Sequence, residues 1–72
     1  MKASMKKELQ ALAKLLNVQV AQARDLLVSE EDYAADLEND DKIEESEGRQ
    51  ELLGELAEIL DTAESLIADL LA

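Results

Sequence analysis

The chain has 72 residues, 35% of them charged, a formal net charge of −11, and neither Cys nor His. So short a chain makes one domain at most, with a small core, and it can hold no disulfide or thiolate metal site. Without His or Cys no side chain titrates near neutrality in its unperturbed state, and a negative surface of this strength repels phosphate; the composition therefore points away from an enzyme, from a cofactor or metal, and from nucleic-acid binding through the whole surface.

The absence of Pro and the abundance of Ala, Leu and Glu favour helix throughout, so the expected fold class is all-α. The expected architecture is a small helical bundle with an N-terminal helix hairpin and a long C-terminal amphipathic helix. The first helix is predicted from about Ser4 to Leu16, with Met5, Leu9, Leu12 and Leu16 on one face. Asn17 stands where a turn is expected. A second helix over Gln19 to Leu27 buries Val20, Ala23 and Leu27 and completes a hairpin over residues 4–28. Ser29 reads as an N-cap for a short third helix over 29–39, with Glu30 and Glu31 in its first turn and Tyr33, Ala34 and Leu37 inward. Residues 40–46 read as an acidic linker. The last helix is predicted over 47–72. In it Leu52, Leu56, Ile59, Ala63, Leu66 and Leu70 recur at intervals of four and three, forming a heptad seam flanked by Leu53, Leu60 and Ile67. That seam is wider than one short hairpin covers, so a homo-oligomer is expected through it.

The run from Leu12 to Arg24 resembles the helix-turn-helix element of small DNA-binding regulators. Ala13 stands at the close crossing, Asn17 at the tight turn, Val18 after it, and Ala23 inside the second helix. The resemblance implies that Gln19, Gln22 and Arg24 face bases and that Lys6, Lys7 and Lys14 face phosphates, on a regulator dimerising through its last helix. It covers only about residues 10–28, and the rest of the chain departs from that pattern by its acidity.

Up to Val28 five basic side chains face two acidic ones, whereas Ser29 to Ala72 holds sixteen carboxylates against Lys42 and Arg49. Glu51, Glu55, Glu58, Asp61, Glu64 and Asp69 lie off the apolar seam of the last helix. This acidic face is the candidate partner-binding surface, directed at a basic protein surface such as that of a nucleic-acid-handling protein. The leading functional reading is a small acidic protein–protein interaction module, an inhibitor or nucleic-acid mimic; the dimeric helix-turn-helix regulator is the alternative. A twelve-residue stretch from Asp36 to Glu47 also resembles an EF-hand calcium loop, but Asp41 stands at the sixth position, where the sharp turn requires Gly. An acidic linker yields such spacing on its own, and no metal ligand set is assigned. No stretch reaches the ~20 apolar residues of a membrane span, and Gln10 and Lys14 interrupt any signal-peptide core, so the expected location is the cytoplasm.

Overall fold

The computed structural model describes residues 1–72 and contains two α-helices and no strand. Helix α1 spans Ala3–Ala35 and helix α2 spans Asp40–Leu71. Cross-helix pairs join residue 17 to 64, 24 to 61 and 30 to 46, so the helices run antiparallel as a hairpin. The molecule is a rod of 56 × 14 × 13 Å, with both termini at one end and the turn at the other.

The turn forms where local chemistry opposes further helix. Glu31 and Asp32 lie in the last turn of α1, which carries no basic residue, and there they oppose the negative end of the helix dipole. Asp36 keeps a right-handed conformation, and its N–H and that of Leu37 close the final turn on the carbonyls of Tyr33 and Ala34 at 3.3 and 3.2 Å. Asn39 then starts α2: its side-chain oxygen accepts from the backbone N–H groups of Asp41 (2.9 Å) and Lys42 (3.2 Å). Asp40 and Asp41 add negative charge to that first turn, where the dipole favours it.

One heptad stripe from each helix lines the interface. On α1 and just beyond it these are Leu9, Ala13, Leu16, Val20, Ala23, Leu27, Glu30, Ala34 and Leu37, all buried or half-buried. On α2 they are Ile43, Ser46, Gln50, Leu53, Ala57, Leu60, Glu64, Ile67 and Leu71. Both sets step by alternating three and four residues, the period of antiparallel coiled-coil packing. Small residues recur within them, Ala13, Ala23 and Ala34 on α1 and Ser46 and Ala57 on α2, and small side chains let two backbones approach. The fully buried hydrophobic core is correspondingly thin: Val20, Ala23, Ala57 and Ile67.

Several expectations are corrected. The hairpin expected at 4–28, the separate helix at 29–39 and the linker at 40–46 give way to two long helices meeting at one turn. Asn17 and Ser29 lie inside α1, and the charged residues from Asp40 onward are already helical. Propensity explains this: one Asn between Ala- and Leu-rich turns costs less than a turn with its unpaired backbone groups. Met5 and Leu12, expected on the inner face, are exposed, and Tyr33, expected inward, is half exposed. On α2 the inward stripe is the one containing Leu53, Leu60 and Ile67. The seam expected to join copies is not corrected by this: Leu52, Leu56, Ile59, Leu66 and Leu70 are exposed in the single hairpin, where such a seam would lie, and Ala63 is half-buried.

Candidate interaction surfaces

The hairpin has two long sides of opposite character. On one side the residues flanking the interface are polar. Arg24 and Asp61 approach at 3.9 Å, and the Asn17 amide donates to Glu64 Oε1 at 3.2 Å. On the other side the flanking residues are apolar on both helices. Met5, Leu12, Leu26 and Tyr33 follow at multiples of seven residues along α1, with Gln19 completing the row; Leu56, Ala63 and Leu70 do so along α2. In antiparallel heptads these rows border the same edge of the interface. Leu15 and, on α2, Leu52, Ile59 and Leu66 widen the strip; Leu52 and Ile59 are 66% and 67% exposed. An open depression lined by Glu58, Ile59, Thr62, Ala63 and Leu66 lies on it.

The predicted acidic residues fall into two groups. Glu51, Glu55, Glu58 and Asp69 are exposed on α2, away from the interface, and make no ion pair or hydrogen bond to another side chain. Asp61 and Glu64 instead face α1 through Arg24 and Asn17, with Glu64 half-buried. Among eighteen carboxylates in the chain, only Asp61 and Glu30 form salt bridges.

The residues of the helix-turn-helix resemblance are not assembled as that resemblance implies. Lys6, Lys7, Lys14, Gln19, Gln22 and Arg24 lie on one unbroken helix, with no turn at Asn17. At 3.6 residues per turn they spread over about 220° of its circumference, so they share no groove-facing edge. Gln19 is half-buried and Arg24 is turned towards Asp61. The twelve-residue calcium-loop spacing is likewise displaced, because α2 begins at Asp40 and puts most of that stretch on a helix. No group of three or more acidic side chains is arranged to hold a metal ion.

A polar cluster near the turn went unanticipated. Ser46 is fully buried and its hydroxyl donates to Glu30 Oε1 at 2.9 Å. Arg49 Nε donates to the same oxygen at 2.6 Å, and Gln50 Nε2 donates to Ser46 Oγ at 3.4 Å. The Ser46 hydroxyl, and after it the Arg49 guanidinium, hold the Glu30 carboxyl below its ordinary value of 4.5 against the opposing effect of desolvation. The sequence signal for this cluster is the α2 heptad Ile43, Ser46, Gln50, Leu53, which carries polar residues at two core positions and is therefore easily passed over for a wholly apolar stripe. No helix is long and apolar enough to cross a membrane. No protein-family model, curated protein or solved structure matches the chain.

Proposed function

We propose that the protein is a small acidic protein–protein interaction module that presents its carboxylates to a basic surface of another protein, in the manner of an inhibitor or nucleic-acid mimic. One observation carries this reading: the carboxylates are concentrated but almost unused within the fold. Sixteen lie after Val28, and Glu51, Glu55, Glu58 and Asp69 point to solvent with no partner in the chain. Surplus charge held on a rigid helix favours fast, oriented encounter with a surface of opposite sign. Along a 56 Å rod the net charge of −11 gives one charge per ~5 Å, sparser than the ~1.7 Å of duplex DNA. A single copy thus suits a basic patch better than a long groove.

The test is capture of basic proteins from host extract on the immobilised chain, alongside a variant with Glu51→Gln, Glu55→Gln, Glu58→Gln and Asp69→Asn. These four positions leave the helix interface and its hydrogen bonds intact. A specific basic partner, released by ~300 mM salt or by competing duplex DNA and lost in the variant, supports the reading. A partner retained equally by both chains, or indifferent to salt and to DNA, rejects it.

A further inference from the structure

We infer that the apolar side of the hairpin is covered by a second copy of this chain, with the two turns at opposite ends of a four-helix bundle. This rests on the apolar strip and on the distribution of charge, and it stands whether or not the acidic face binds a basic partner.

Surface area is the first argument. The chain exposes 5551 Å², whereas a compact folded monomer of 7.9 kDa exposes about 4,400 Å². The excess of about 1,100 Å² exceeds the ~800 Å² that each partner contributes to a standard stable interface. The strip that would be covered runs from Met5 to Tyr33, about 42 Å at the helical rise, and it is continuous across both helices. A rod that buries four hydrophobic residues fully while leaving large apolar side chains out along one edge is half of a core.

The composition of the strip identifies the occupant. Its rows recur at seven-residue intervals on both helices, with the period of the interface already formed between α1 and α2. A straight surface with that period matches another straight helical pair, and this chain supplies one. Charge then fixes the direction. The half of the rod nearer the turn, residues 20–55, carries thirteen carboxylates against three basic side chains; the open half carries five against four. The halves are therefore −10 and −1. Two copies with turns together would crowd −20 into one end, and turns at opposite ends give −11 at each. The same two-fold lays α1 antiparallel on its counterpart, bringing Lys6 and Lys7 of each copy level with Glu31 and Asp32 of the other.

Three measurements test this. Light scattering of the intact chain at ~100 µM should give twice 7.9 kDa; the monomer mass or a larger assembly overturns the inference. Leu15→Asp with Ile59→Asp should abolish the dimer mass. Both side chains are exposed in the single hairpin, so the loss of dimer supports a shared interface even where helicity falls with it, and a retained dimer overturns it. For direction, Leu12→Cys and Leu26→Cys are made separately in this cysteine-free chain. The two sites lie seven residues either side of Gln19, at mid-helix. With turns opposed, Leu12 of one copy meets Leu26 of the other, while like sites are about 21 Å apart, beyond disulfide reach. A disulfide should form on mixing the two variants and in neither alone. Disulfides between like sites, or no mixed product, overturn the opposed arrangement.

Discussion

Glu30 occupies a heptad core position, where a carboxylate is costly unless it is hydrogen-bonded. Ser46 and Arg49 both donate to its Oε1, a pairing that an axial slip of α1 on α2 would break. A polar core group that fixes register is a recognised use of such residues. Its ionisation ties stability to acid. The folded state holds this carboxyl below 4.5, so near that pH it binds fewer protons than the unfolded chain does. The contribution of Glu30 is therefore complete above pH 4.5 and declines as pH falls through the depressed value. Thermal midpoints from pH 3 to 6 should show the advantage of the native chain over Glu30→Gln shrinking below pH 4.5. A difference that stays constant with pH would sink this account. Ser46 has no accessible surface, so Ser46→Leu forces the helices apart and should cost about 1–3 kcal/mol. Ser46→Ala, which removes the hydroxyl but adds helix propensity, should change stability by less than about 1 kcal/mol. Urea unfolding of the two variants distinguishes them.

At the scale of the element, α2 depends on Asn39 for its start and tolerates two glycines without need. Asn39→Ala removes the acceptor for two backbone N–H groups and should destabilise by about 1 kcal/mol. Gly48 and Gly54 have ordinary helical backbones, and a Cβ at either would meet nothing within 4 Å. Gly54→Ala should therefore raise stability by about 0.5–1 kcal/mol, and a lowered denaturation midpoint would reveal a role for that glycine beyond the helix itself. Helix content was legible in the sequence because propensity acts residue by residue. The positions of breaks were not: Asn17 and Ser29 resemble cap residues, yet each is outweighed by the helical turns on both sides, whereas Asn39 prevails amid acidic residues that oppose the end of α1. The inner burial of Val20 and Ala23 was also legible, since it follows from local periodicity. Which of two adjacent α2 stripes turns inward was not, because Leu52–Leu70 and Leu53–Ile67 are one residue apart. Side-chain size at Ser46 and Ala57, matched to alanines some distance away on α1, decides between them. Of the acidic candidates, the exposure of Glu51, Glu55, Glu58 and Asp69 followed from helical phase, but the ties from Asp61 and Glu64 to α1 depend on the hairpin register.

For the whole molecule, the dominant feature is uncompensated negative charge. Only two salt bridges form, so self-repulsion opposes the compact state and salt screens it. Raising ionic strength from ~20 to ~300 mM at pH 7 should raise the thermal midpoint. A midpoint that falls with salt would mean that internal pairing outweighs repulsion. The same titration separates the two surfaces: association between copies should tighten as salt rises, and association with a basic partner should weaken.

The hairpin also determines how the molecule responds to force. Both termini lie at one end of a 56 Å rod, so tension applied across them acts perpendicular to the helix interface and opens it like a zipper. Each heptad layer bears the load in turn, and the layers break singly instead of together. The layers at Leu9 and Leu71, nearest the termini, part first; Glu30 with Ser46 and Arg49 part late, and Leu37 and Ile43, beside the turn, part last. Pulling from an anchor at the turn and one terminus would instead stretch a helix along its axis. The chain should therefore yield at low force from its ends and keep its structure longest at the acidic turn.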